Sequence, residues 1–115
     1  MSTFIVQGRW TSEAVKGMLA HPEDRSVALS KMYEASGGKL LSYYVTFGDY
    51  DFLLIAESPS EHALLSGLIV AGAGGAVTNL KTTVAVTSAE AKKAFEAAKA
   101  IVPSYTPPGQ SHSHR

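Results

Sequence analysis

Gly48-Asp49-Tyr50-Asp51 places a phenol between two carboxylates. Such a tyrosine can hold a small polar ligand or pass a proton, provided its surroundings move its pKa. The same residues also suit a plain turn, with Asp49 capping the reversal and Tyr50 packing over it. A second group sits at alternating positions. Gln7 and Arg9, Ser42 and Tyr44, and Asn79 and Lys81 can project from one face of a sheet. Buried polar groups need partners, so this cluster is either an internal hydrogen-bond network or a ligand site. Arg9 with Lys81 suits a carboxylate or another anion. Pairing with Glu57 or with an acidic residue of a partner chain is the competing use.

The other chemistry-bearing residues are sparse. The chain has four histidines and no cysteine, which removes disulfides, cysteine-ligated zinc and thiol nucleophiles together. His21 stands beside Pro22 at a helix break, where it either enters a pocket or faces solvent. With Tyr50 and Tyr44 it completes the set of acid-base candidates. Arg9, Asp49, Tyr50, Asp51 and Lys81 are the ligand-binding candidates. His62 has no His or Asp one turn later, so no metal motif forms. His112 and His114 near the C-terminus offer two ligands, too few for a strong site. No metal and no cofactor are expected. Gly72-Ala73-Gly74-Gly75 follows a helix and enters a strand, the reverse of a dinucleotide-binding loop. No Gly-x-Ser-x-Gly nucleophile elbow occurs.

These residues must be positioned by the elements around them. Apolar runs at 40–47 and 52–56 flank the Gly48–Asp51 turn and predict a hairpin with a loop of about four residues. A first strand is expected over 3–10 and a fourth over 76–86, with Val77, Leu80, Val84 and Val86 as burial candidates. Strand two, 39–47, should turn Leu41, Tyr43, Val45 and Phe47 to one face and Leu40, Ser42, Tyr44 and Thr46 to the other. Strand three, 51–58, should oppose Phe52, Leu54 and Ala56 to Leu53 and Ile55. Thr11 or Ser12 caps a helix with an Ala14, Val15, Met18, Leu19 stripe. That helix breaks near His21 and restarts at Pro22, with Val27, Ala28, Met32 and Ala35 buried, and ends at Gly37-Gly38. A helix opening after Ser58-Pro59-Ser60 buries Leu64, Leu65, Leu68 and Ile69. Ser88 caps a last helix that runs to Ile101.

A chain of 115 residues makes one domain with enough length for a core. Residues 1–102 form it, and 103–115 read as a flexible Pro/Ser/His tail. Ten basic and ten acidic residues cancel, without the basic cluster that nucleic-acid binding needs. An anionic membrane is disfavoured for the same reason. The weakly polar run at 63–77 is shorter than the ~18 residues of a spanning helix. No targeting segment is visible, and a cytoplasmic location is expected.

The order strand, helix, strand, strand, helix, strand, helix gives an α+β, ferredoxin-like βαββαβ fold with an antiparallel four-stranded sheet and an extra C-terminal helix. Helices cover one face. The other should carry Ile5, Leu40, Tyr44, Leu53, Ile55 and Val77, an apolar patch that a second copy would hide. Phe4-Ile5-Val6-Gln7-Gly8-Arg9-Trp10-Thr11, the interrupted helix, and above all the run from Gly38 through Gly48-Asp49-Tyr50 to Phe52 resemble the GYD-domain family. Asn79-Leu80-Lys81-Thr82 extends the likeness, which covers roughly 3–96. The resemblance implies a dimeric α/β-barrel architecture. Its wider superfamily includes cofactor-free monooxygenases, muconolactone-isomerase-like enzymes, haem-binding relatives and amino-acid-sensing domains, and it assigns no reaction to this family. Three functions follow. The leading one is a small-molecule-binding or sensing domain acting as a homo-oligomer, with a small anionic or aromatic ligand. The others are a cofactor-independent oxygenase or isomerase, and a structural or assembly protein.

Overall fold

The computed structural model describes residues 1–110; His112 and His114 lie outside them. Met1–Ala85 form one compact unit, and a second begins at Val86. The first unit runs β1 (Ser2–Trp10), α1 (Ser12–Ala20), α2 (Arg25–Ala35), β2 (Lys39–Val45), β3 (Phe52–Ser58), α3 (Glu61–Ala73) and β4 (Val77–Ala85). The four strands are antiparallel, in the order β2-β3-β1-β4. This is the expected ferredoxin-like sheet. In the second unit, α4 (Ser88–Ile101) is followed by a short 3-10 turn over Val102–Ser104. Thr87, not Ser88, caps α4: its hydroxyl accepts from the Glu90 amide, and the Glu90 carboxylate accepts from the Thr87 amide. Those two bonds hold the Glu90 carboxyl below its usual range.

The core of the first unit is built from the two central strands. Phe4 and Val6 of β1 and Phe52, Leu54 and Ala56 of β3 point to one side, where Tyr33 of α2 and Leu64 of α3 meet them. Strand alternation sends Ile5 and Gln7, and Leu53 and Ile55, to the opposite side. Ser58 is buried and donates to the Ser60 carbonyl, which steers the chain into α3.

The break after α1 falls where the sequence places it, but α2 starts three residues later than Pro22. Asp24 is the reason. Its carboxylate accepts from both the amide and the hydroxyl of Ser26, at 3.0 and 2.6 Å, and caps the helix there. The stripe on α2 also differs. Val27 is 57% exposed, while Leu29, Met32 and Tyr33 pack inward. On α1, Leu19 is 81% exposed, and on α3, Leu65 and Ile69 face outward. Val84 and Val86 are likewise exposed.

Two bulges correct the expected faces of the edge strands. Leu40 pairs with Ala56 and Ser42 with Ile55, so Leu41 is an extra residue. Leu40 therefore joins the helix side, packed on the core, and not the opposite face. On β4, Gln7 pairs with Lys81 and Arg9 with Thr78, so Asn79 and Leu80 oppose Gly8 alone. Asn79 takes φ +52°, a left-handed conformation that asparagine tolerates. Leu80 and Val77 pack on the core side as a result. The apolar content of the opposite face shrinks to Ile5, Leu53, Ile55 and Tyr44.

Gly38 is fixed by a close approach, since an added Cβ would strike the backbone carbonyl of Glu57. Gly17, on α1, would meet nothing within 4 Å. Gly38→Ala should therefore cost about 2 kcal/mol or more by overpacking. Gly17→Ala should stabilise by about 0.5–1 kcal/mol through helix propensity. Urea unfolding of the two variants measures both, and equal effects would contradict the packing described.

Candidate functional site

The Gly48–Asp51 turn is wired into the neighbouring strand. The Thr46 amide donates to the Asp51 carbonyl at 2.9 Å, so the loop is longer than four residues. The Thr46 hydroxyl donates to the Tyr50 carbonyl at 2.8 Å. The Asp51 amide donates to the Gly8 carbonyl, and its carboxylate accepts from the Trp10 amide, both at 2.9 Å. Gly48 takes φ +142°, which favours glycine. Arg9 donates to the Asp49 carbonyl at 3.3 Å. Asp51 thus spends its carboxylate on the end of β1.

Asp49, Tyr50 and Lys81, with Gln7, Thr46 and Phe47, line a shallow recess of about 300 Å³. Gln7 and Lys81 are direct cross-strand partners on the sheet face away from α1 to α3. Tyr44 shares that face, opposite Leu53, and is largely exposed. Ser42 and Tyr44 do not line the recess. The polar alternation is therefore real, but it brings together only part of the expected set.

The larger space lies on the other side. A cavity of about 510 Å³ opens between the core face of the sheet and α1, α2 and α3. Its floor is aromatic. Trp10, Phe52 and Tyr43 come from three adjacent strands, with Phe52 stacked on Trp10 at 6.2 Å and on Tyr43 at 6.0 Å between ring centres. Phe52 can lie flat because Gly8 has no side chain; a Cβ there would come within 2.7 Å of the ring. The walls are apolar: Met18, Leu29, Met32 and Leu68. The space exists because the helices present small residues to it, Ala14 and Gly17 from α1 and Gly67 and Ala71 from α3.

Polar groups gather where α1 gives way to α2. His21, Glu23 and Arg25 all line the cavity. The Arg25 guanidinium bonds the Glu23 carboxylate at 2.9 Å. Burial pushes the Tyr43 phenol up, opposed in part by the Arg25 charge and by a hydrogen bond from the Trp10 side chain. Burial alone raises Tyr33. Both phenols are neutral donors at pH 7 as a consequence. Tyr33 is only 5% exposed and lines the cavity, yet no partner for its hydroxyl is found among the described residues. Among the described residues no group of three metal-ligating side chains occurs, and no helix is long and apolar enough to cross a membrane.

Of the residues singled out in the sequence, His21 alone reaches this cavity. Trp10, Tyr33, Tyr43, Glu23 and Arg25 were not singled out. A signal for them was present. Residues 67, 71 and 74 are small and fall on one face of α3, so that face cannot fill the space beneath it.

The GYD domain family matches residues 4–95. Among solved structures, MtbAldR superposes with a TM-score of 0.55 at 16% identity, over 76% of this chain and 52% of that one. The transcriptional regulator NMB0573 from Neisseria meningitidis, solved as an L-Met complex, gives 0.53 at 14% identity, over 76% and 51%. This chain spans about half the length of both. TTHA0845 from Thermus thermophilus gives 0.50 at 17% identity, over 76% and 96%. These likenesses establish the fold. No curated protein matches the chain.

Asp51→Ala should leave the Trp10 amide without its partner and cost about 1–3 kcal/mol. Tyr50→Phe removes a hydroxyl that anchors nothing in the loop and should shift stability by under about 0.5 kcal/mol. Denaturant midpoints separate the two, and a large loss for Tyr50→Phe would contradict this assignment.

Proposed function

The chain belongs to the GYD-domain family, and from that footing we propose that it is a small-molecule-binding or sensing domain whose ligand sits between the sheet and helices α1, α2 and α3. The observation that carries this is the 510 Å³ cavity itself, apolar over most of its wall and polar at one end. Its size falls in the usual range for small-molecule sites, and so does its lining. Three stacked rings form a flat floor, which suits a flat, largely apolar ligand. The buried Tyr33 hydroxyl and the Tyr43 phenol offer hydrogen bonds to a group on it. A domain of this fold occurs in a regulator solved with L-Met. That supports sensing as the form the function takes.

The catalytic alternative has less to draw on. Tyr44 and Tyr50 face away from the cavity, which leaves His21 beside Tyr43 as its acid-base pair. The assembly alternative merges with the first reading. Phe47 is fully exposed, and the edge strand β2 adds Leu41, Tyr44 and Val45. Unpaired edges with apolar side chains call for cover. We therefore place the domain in a homo-oligomer. Light scattering on the eluting protein should return a mass above 12.1 kDa at micromolar concentration; a monomer mass would remove this part.

Trp10 is the sole tryptophan, so its emission reports on the cavity floor. Anilinonaphthalene sulfonate, a flat aromatic probe, should quench Trp10 by energy transfer with saturable 1:1 binding per chain. The double variant Gly67→Leu/Ala71→Phe fills the space and should lose that binding. Far-UV dichroism and the thermal midpoint should hold, because replacing a helical glycine gains up to about 1 kcal/mol. Probe binding that survives the filled cavity would remove this reading.

A further inference from the structure

The polar end of the cavity is not symmetric in charge or in hydrogen-bonding character. Arg25 brings donors only. The Tyr43 oxygen takes a hydrogen bond from Trp10, so its own hydrogen is left to donate. The Tyr33 hydroxyl has no partner among the described residues. Three donors therefore face one end of an otherwise apolar space. The sole anion that meets them there is Glu23, which holds Arg25 at 2.9 Å. The two side chains differ in exposure, with 33% of Arg25 accessible against 49% of Glu23. Arg25 is the more enclosed partner, and Glu23, beside Pro22 in the short link between α1 and α2, is the one free to swing out.

We infer that the ligand of this cavity is a flat apolar carboxylate whose anionic head binds Arg25, and that Glu23 occupies Arg25 in its absence and competes with it. This rests on the cavity being the binding site. A carboxylate matches the fork of an arginine at two points, and its remaining lone pairs match the phenol donors. Glu23 then acts as an internal stand-in for the ligand head. It keeps Arg25 paired when the cavity holds no anion, and it weakens every anionic ligand by the free energy of the pair it gives up. A neutral ligand does not displace it and gains nothing from Arg25.

Calorimetric titration of the full chain with naphthalene-2-carboxylate and with naphthalene-2-carboxamide tests this. The two probes share a ring system and differ in charge. The carboxylate should bind about tenfold more tightly, as a charge-assisted pair predicts. Arg25→Gln should bring the ratio of affinities close to one. Glu23→Gln should raise the ratio by roughly three- to fivefold, the range of a part-exposed ion pair. A gain of affinity does not arise from misfolding, so the Glu23 variant keeps the test decisive if Arg25→Gln folds poorly. Equal affinities in the wild type, or a ratio lowered by Glu23→Gln, would overturn the inference and leave the cavity as a neutral-ligand site. Failure of both probes to bind the wild type would overturn the cavity reading, and this inference with it.

Discussion

Phe52 lies on the bare backbone of Gly8, and its ring stacks against Trp10 on one side and Tyr43 on the other. That contact spans the three strands β2, β3 and β1. It is also sterically unforgiving, because one methyl group on Gly8 would meet the Phe52 ring at 2.7 Å and Leu80 at 2.8 Å. Asp51, the residue before Phe52, is tied to both sides of the same spot through the Gly8 carbonyl and the Trp10 amide. The hairpin turn and the aromatic floor are thus set by neighbouring links in one stretch of chain. A slip of one residue between β1 and β3 would send Phe52 to the opposite face and break both.

A rigid floor matters because of the space above it. An empty, dry void of 510 Å³ would cost about 12 kcal/mol at about 24 cal/mol per Å³. That is comparable with the whole stability of a typical domain. A fold does not keep such a void as a packing defect. The space must therefore be open to solvent or filled by a ligand, and its walls must resist collapse. The walls do so through the sheet. Three of its strands supply the stacked rings, and β4 adds Val77 and Leu80. The helices above contribute little burial, since α1 has no buried residue and α2 and α3 have one each, Tyr33 and Leu64. Layers so lightly anchored have room to adjust around an occupant, at a low cost in local stability.

The sheet was legible in the sequence because alternation and turn residues act over short range. Gly48 and Asp51 mark the reversal, and Phe52, Leu54 and Ala56 fall on one face as their spacing requires. The bulge residues Leu41 and Asn79 were not legible, since an extra residue leaves composition unchanged and appears only against the partner strand. On α2 the apolar residues fall on more than one side, so periodicity did not choose between Val27 with Ala28 and Leu29 with Tyr33. Placement of Asp24 as the cap settles the phase. The same shift decides the candidate site. It puts Arg25 at the first position of α2, where it lines the cavity beside Glu23.

The residues richest in chemistry on paper turn out to be occupied. Asp51 holds a backbone amide, the Asp49 and Tyr50 carbonyls receive Arg9 and Thr46, and Thr11 uses its hydroxyl both on Gly75 and to cap α1. Polar groups satisfied in this way have little left to offer a ligand. A binding site needs the opposite, polar atoms held in place without a full set of partners. In this unit that condition is met on the helix side, by the Tyr33 hydroxyl and by an arginine whose single ionic partner is itself half exposed. A turn motif dense in functional groups is therefore poor ground for assigning function here. Its side chains hold Gly8 and Trp10 where Phe52 can lie flat, and the unpaired groups stand above that ring.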